Sequence, residues 1–135
     1  MRDTRYASRF TRYESMTEKI KNFRDLDVWK KGIEIVKSVY ETTDAFPKQE
    51  FYGLASQMQR SSVSIPSNVA EGFNRFHNKE YRRFLYMALG SCAELETQIE
   101  IASELKYINK QRKTFLLEDL DHESRMLRNL IKKLN

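Results

Sequence analysis

The chain reads Gln-Met-Gln-Arg-Ser-Ser-Val-Ser-Ile-Pro-Ser-Asn-Val-Ala-Glu-Gly from residue 57 to residue 72, and this stretch decides the fold. Its polar side chains recur at steps of 3, 4, 4 and 3, so a helix would place them on one face. They are Gln57, Arg60, Ser64, Asn68 and Glu71. The neighbouring face is apolar and predicts core, with Leu54, Met58, Ile65, Val69 and Phe73.

A polar stripe beside a core stripe needs hydrogen-bond partners. We interpret it as a structural polar network that fixes helix register or subunit contacts, with Glu94 of a later helix as the expected partner of Arg60. The alternative is a ligand-binding or catalytic patch built on Arg60, Asn68 and Glu71.

The helix around this stretch is expected to span residues 50–72 and to bend at Pro66. Proline has no N–H, so the carbonyl of Ser62 loses its helical donor, and nearby serine hydroxyls are expected to satisfy it. Gly72 is expected to end the helix. Apart from Leu89, the side chains of residues 88–93 are small, which predicts that a later helix crosses closely at the serines.

Apolar periodicity predicts three further helices. They span residues 26–45 with Asp25 as the cap, residues 79–105 with Asn78 as the cap, and residues 110–134. Four long helices with short connections favour an all-α protein, an antiparallel up-down-up-down four-helix bundle whose second helix is kinked at Pro66.

The first of these helices has two apolar faces. One follows steps of 3, 4, 3 and 4, which is typical of a bundle seam, and comprises Leu26, Trp29, Ile33, Val36 and Tyr40. The second comprises Val28, Ile35 and Val39. Apolar side chains on two sides indicate contact both within the subunit and beyond it.

The composition limits the class of protein. The 135 residues suffice for one domain, and the net charge is +5. We predict a basic N-terminal arm at residues 1–21, either poorly ordered or an extension from a misassigned start codon, and the bundle at residues 22–135. Arginines and aromatic side chains recur at helical spacing in the arm, which suits a polyanion or a partner: Arg2, Arg5, Arg9, Arg12, Tyr6, Phe10 and Tyr13.

One cysteine, no signal-peptide pattern and no apolar run of membrane-spanning length predict a cytoplasmic protein without membrane contact.

Catalytic and metal sites are not expected. A di-metal site in a bundle needs two Glu-x-x-His motifs, and the chain has only two histidines, of which His122 alone has an acidic residue, Asp119, three positions before it. Cys92 lies on an apolar face, where a cysteine is usually a small buried hydrophobe. There is no glycine-rich phosphate loop. We therefore predict no enzyme activity, no cofactor, no metal and no identified small-molecule substrate.

A basic cluster is the remaining candidate site. It comprises Arg75, Lys79, Arg82 and Arg83, with Phe73, Phe76 and Tyr81 interleaved. Positive charge with aromatic surface is typical of a nucleic-acid-binding site. Alternatively these charges are simply solvated and some of the aromatic rings belong to the core. Lys132 and Lys133 form a second, weaker basic end.

Several short motifs carry a family resemblance over residues 22–134. They are Phe23-Arg24-Asp25-Leu26, Phe46-Pro47-Lys48-Gln49-Glu50, Tyr52-Gly53-Leu54, Glu80-Tyr81, Phe84-Leu85 and Ala88-Leu89-Gly90-Ser91, together with the stretch from residue 57 to residue 72. In this order the chain resembles the small bacterial four-helix-bundle proteins encoded by intervening sequences within 23S ribosomal RNA genes. It is also similar to the accessory variability protein of diversity-generating retroelements.

The resemblance implies a ring-like homo-oligomer, a pentamer. It also implies a non-enzymatic adaptor whose basic surface engages structured RNA or RNA/DNA and which assists a reverse transcriptase. The alternative is a protein-interaction scaffold without nucleic-acid binding. The two differ in salt response, because binding through phosphates weakens steeply as salt rises.

Overall fold

Four long α-helices build the part of the chain that the computed structural model describes, residues 20–135. They are α1 (Asp27–Asp44), α2 (Leu54–Phe73), α3 (Asn78–Glu104) and α4 (Lys110–Lys133). Short 3-10 turns at Phe23–Asp25 and Lys48–Glu50 precede α1 and α2. Between residues 20 and 135 there is no strand. The arginine and aromatic stripes predicted for the N-terminal arm lie outside the described residues.

The helices form a four-sided bundle in which each helix packs against the next and α1 packs against α4. Contacts between opposite ends set the directions. Gln59, early in α2, donates to Thr43, late in α1, at 3.0 Å. Lys113, early in α4, pairs with Glu100, late in α3, at 3.0 Å. Arg82, early in α3, donates to the carbonyl of Leu134 after α4. α1 and α2 are therefore antiparallel, as are α3 and α4, and the predicted all-α four-helix bundle is confirmed.

The apolar face predicted for α2 is the core. Leu54, Met58, Ile65, Val69 and Phe73 are all buried. The close crossing predicted at the serines is also present, since Ser91 of α3 donates to the hydroxyl of Ser64 at 2.8 Å.

The two apolar faces predicted for α1 are buried to different extents. The core face comprises Val28, Gly32, Ile35, Val39, Thr42 and Thr43. Of the predicted seam, Leu26 is buried, Trp29, Ile33 and Val36 are half-buried, and Tyr40 is 47% exposed. Two features invisible to apolar periodicity explain this. Because Gly32 has no side chain, Pro66 of α2 can approach closely, and a Cβ at position 32 would stand only 3.2 Å from it. The hydroxyls of Thr42 and Thr43 donate to carbonyls of their own helix, so both threonines can be buried.

Two predicted caps are also corrected. The Asp25 carboxylate accepts from the N–H groups of Lys21 and Asn22, at 3.0 and 3.2 Å, within the preceding 3-10 turn. Leu26 therefore stands at the N-cap of α1. Asn78 is the first residue of α3 and so lies one position too late to cap it.

Around Pro66 the local hydrogen bonds differ from expectation. α2 runs through Pro66 from Leu54 to Phe73, and the predicted kink stays a prediction. The hydroxyls of Ser61 and Ser62 donate to the carbonyls of Gln57 and Gln59, at 3.0 and 2.8 Å, and not to the carbonyl that Pro66 leaves without its helical donor.

Gly72 does not end α2, because the helix continues to Phe73. A Cβ at Gly72 would stand 2.9 Å from both Tyr81 and Phe84 of α3. This glycine is needed for the close approach of two helices rather than for a helix stop.

Candidate nucleic-acid interface

The polar stripe of α2 divides into separate groups. Asn68 donates to the carbonyl and the hydroxyl of Ser64, both at 2.9 Å, and Ser91 joins them from α3. The Glu71 carboxylate instead accepts a hydrogen bond from the guanidinium of Arg75, four residues further along the chain, at 3.0 Å. The centre of the stripe thus links α2 to α3, while its end belongs to the basic cluster.

The other members of the stripe lie at the surface. Gln57 and Arg60 are exposed, and so is Glu94 of α3. Within residues 20–135 no ion pair joins Arg60 to Glu94. These three side chains are therefore available for contacts outside the subunit.

The four predicted basic residues lie together, in the α2–α3 connection and the first turns of α3. Arg75 and Arg83 hold their guanidinium carbons 4.8 and 4.7 Å from the centre of the same ring, that of Phe84. Arg83 also pairs with Glu80 at 3.2 Å, and this hydrogen bond is the main cause that lowers the pKa of Glu80. Lys79 is exposed.

Arg82 has a different role from its neighbours. It is half-buried, and its guanidinium donates to the Leu134 carbonyl at 2.5 Å. The bond holds the last turn of α4 against the first turns of α3. Lys132 and Lys133, in the last turn of α4, therefore lie at the same end of the bundle as the cluster, and two basic regions that the sequence separates by about fifty residues share that end. We call these residues together the basic end: Arg75, Lys79, Arg82, Arg83, Lys132 and Lys133.

Charge is unevenly distributed along the bundle. The stretch 123–135, which leads to the basic end, has four basic side chains and one carboxyl. The later part of α3 and the start of α4 carry a group of acidic side chains, among them Glu94, Glu96, Glu100, Glu104 and Glu118. The molecule thus presents a positive end and a more acidic opposite half, which orients it towards a polyanion.

Of the three interleaved aromatic rings, two belong to the core. Phe73 and Tyr81 are buried and pack edge to face, with ring centres 6.0 Å apart. Phe76, in the α2–α3 connection, is 50% exposed. One aromatic surface therefore lies within the basic end, where a base can stack on it.

One buried ionisable residue escaped the sequence analysis. Glu123 of α4 is fully buried, and desolvation raises the pKa of its carboxyl to about 8. A gap in the apolar series of α4 could have indicated this burial. Leu120 and Leu127 are buried core residues, and Glu123 and Ser124 stand between them where helical spacing expects an apolar side chain.

From Ile20 to Asn135, no three His, Cys, Asp or Glu side chains come close enough together to bind a metal ion. None of the four helices has the length and apolar character needed to cross a membrane. Burial raises the pKa of the Cys92 thiol to about 12, so this thiol is a poor nucleophile.

The chain matches known proteins both in family and in fold. The family model of 23S rRNA-intervening sequence proteins matches residues 24–129. The fold is similar to the crystal structure of a Bacteroides thetaiotaomicron protein with unknown function from the S23 ribosomal protein family. The two are 22% identical with a TM-score of 0.73, and the match covers 78% of this chain and 98% of the other. No significant match is found among curated proteins.

Proposed function

The chain belongs to the family of 23S rRNA-intervening sequence proteins, and from this premise we propose that it is a non-enzymatic oligomeric adaptor that binds structured RNA or RNA/DNA. The contact surface is the basic end. The observation that carries the proposal is the bond from Arg82 to the Leu134 carbonyl, which brings the basic ends of α3 and α4 to the same end of the bundle. Arg82 thereby acts as a positioning residue, while the exposed lysines and arginines contact phosphates.

The ion pairs at the basic end are compatible with phosphate binding. Arg75–Glu71 and Arg83–Glu80 are local pairs at spacings of four and three residues, with all four side chains at least 42% exposed. Such pairs contribute only about 0.3–0.5 kcal/mol, so a phosphate can compete for either guanidinium. Lys79 and Lys132 are exposed and take part in none of the ion pairs between residues 20 and 135.

Phe76 favours RNA with unpaired bases over a plain duplex. A half-exposed ring among arginines and lysines offers a stacking surface to a base that is not already stacked in a helix. Structured RNA with loops or bulges supplies both phosphates and such bases. An RNA/DNA product with an unpaired end supplies them too.

The oligomer in this proposal is the homopentamer that the family resemblance implies. Its support in the fold is the outward face of α1, where Trp29, Ile33 and Val36 are only half-buried and Tyr40 is exposed. Burying this face against another copy would complete it. A ring would also present several basic ends to one RNA, and the linked sites would bind more tightly than a single one. A reverse transcriptase is proposed as the enzyme that the adaptor assists.

A protein-interaction scaffold is the second candidate. The observation that favours it is a group of exposed aromatic residues far from the basic end, Tyr40, Phe51 and Tyr52, of which Tyr52 is 99% exposed. Exposed rings of this kind are enriched in protein interfaces.

The test is the mass in solution, measured by light scattering on a sizing column with and without structured RNA at low and high salt. A pentamer-sized species that moves onto RNA at low salt and leaves it at high salt supports the adaptor. A stable oligomer that ignores RNA at every salt concentration supports the scaffold. A monomer that binds RNA contradicts the oligomeric part alone.

A further inference from the structure

A carboxyl group is enclosed in the interior of the bundle. Glu123 has no exposed surface, and within residues 20–135 neither of its oxygen atoms has a hydrogen-bond partner. A buried charge without a partner is far more costly than a buried neutral group. The carboxyl is therefore stable at this position only as the uncharged acid.

Three helices close over this group. A Cβ on Gly32 of α1 would stand 3.3 Å from Oε2 of Glu123 and 3.2 Å from the ring of Pro66 in α2. Gly32 and Pro66 are both buried, so the carboxyl of α4 lies where α1 and α2 also meet. A larger residue at position 32 would push against the carboxyl and against Pro66.

The charged groups around Glu123 do not neutralise it. From α1, Lys31 favours the ionised form and Glu34 opposes it. Lys31 is held by Asp119, 2.9 Å away and one turn before Glu123 on α4, and it also lies 3.5 Å from Glu34. From α3, the buried Cys92 thiol faces this region, and its pKa is affected by Ser124 and by Glu123. α2 contributes the uncharged Pro66.

We infer that Glu123 is a proton-controlled latch of the bundle: its uncharged carboxyl lets α1, α2 and α4 close over it, and its ionisation forces this junction to open to water. Desolvation raises the pKa of this carboxyl to about 8, close enough to neutral pH for a modest rise in pH to open the latch. In the unfolded chain the same carboxyl ionises near its ordinary value of 4.5.

The sign of the effect follows from these two values. Below about pH 4.5 the carboxyl is protonated in both states, and the stabilisation from this group is complete. Between about pH 5 and pH 8 only the folded chain holds the proton, so the folding equilibrium constant falls roughly tenfold for each unit of pH. Above that range both states are ionised, and the loss is complete.

The experiment compares three proteins at one concentration: wild type, Glu123→Gln and the control Glu118→Gln. Glu118 undergoes the same chemical change on the same helix but is exposed. Urea unfolding is measured across the pH range, together with hydrogen–deuterium exchange of α1 and α4. We expect wild type and Glu118→Gln to lose stability and protection factors as pH rises, the exchange rates being corrected for base-catalysed intrinsic exchange, whereas Glu123→Gln keeps its stability and its protection factors. Parallel loss in all three proteins overturns the inference.

A second measurement needs no variant and covers the case in which Glu123→Gln fails to fold. Carbon-13 NMR follows the titration of glutamate carboxyls in the wild-type chain. One carboxyl that titrates several units above the rest supports the latch. Titration of every glutamate near the ordinary value of about 4.3 overturns it.

Discussion

Alanine at Gly72 should drive α2 and α3 apart, and its effect can be worked out from three distances. The new Cβ would stand 2.9 Å from Phe84 Cβ, 2.9 Å from Tyr81 Cδ1 and 3.1 Å from the Tyr81 carbonyl oxygen. Tyr81 is fully buried, and one of the three contacts is backbone, so rotating a flexible side chain cannot relieve the clash. The helices must move, and a packed interface resists that.

The magnitude is a balance of two effects. Overpacking a core by one methyl group costs about 1–3 kcal/mol. Replacing glycine by alanine inside a helix raises the free energy of unfolding by up to about 1 kcal/mol, and by less here because Gly72 is the last residue but one of α2. The net loss in the free energy of unfolding should be about 1–2 kcal/mol.

Gly90 supplies the matched control. It lies within α3, and a Cβ there meets nothing within 4 Å. Gly90→Ala should therefore raise the free energy of unfolding by roughly 0.5–1 kcal/mol through helix propensity. The assay is urea unfolding followed by circular dichroism at one protein concentration. If Gly72→Ala is as stable as Gly90→Ala, the close approach at Gly72 is refuted.

Three further predictions concern single groups. Asn109 caps α4 by accepting from the Arg112 N–H at 2.7 Å, so Asn109→Ala should lose about 1 kcal/mol in urea unfolding, and an unchanged midpoint would contradict the cap. Because burial raises the pKa of the Cys92 thiol to about 12, iodoacetamide should modify this cysteine only after urea unfolds the chain, and rapid modification of the folded protein would contradict its burial. Hydrogen bonds from the Leu54 N–H and the Tyr107 hydroxyl lower the pKa of the Glu50 carboxyl. They therefore stabilise the fold at pH values above the ordinary pKa of a glutamate, and this stabilisation is lost as the pH falls into the acid range. Acid unfolding should therefore be less steep in Glu50→Gln than in wild type, and identical curves would contradict the role of these bonds.

The helices could be predicted because their signals are local. The apolar face of α2 and the ends of α4 follow from spacing of side chains within one segment, and both match the structure within a residue or so. The core face of α1 could not be chosen in the same way. Both of its faces are apolar, and the one that is buried depends on Gly32, whose small size matters only because Pro66 of another helix approaches it.

The candidate site could be predicted only in part, for a related reason. Arg75, Lys79, Arg82 and Arg83 are close in sequence, so their clustering was visible. That the last residues of α4 join them depends on the antiparallel packing and the bond to Leu134. Glu123 was missed because a carboxyl at a core position of α4 looks like a surface charge until its burial is known.

The central claim is that the basic end binds nucleic acid, and a lysine-for-lysine comparison tests it most directly. One variant reverses Lys79 and Lys132 at the basic end to glutamate. The control reverses Lys106 and Lys110, two exposed lysines at the α3–α4 connection, at the other end of the bundle. The dissociation constant for a fluorescent structured RNA is measured by anisotropy over a series of salt concentrations.

We predict that the control binds like wild type, with an affinity that falls linearly on logarithmic axes as salt rises. The basic-end variant should bind more weakly at every salt concentration, and its slope should be smaller by about one for each phosphate that a reversed lysine no longer neutralises. Equal binding by the two variants, or binding by wild type that salt does not weaken, would contradict the account.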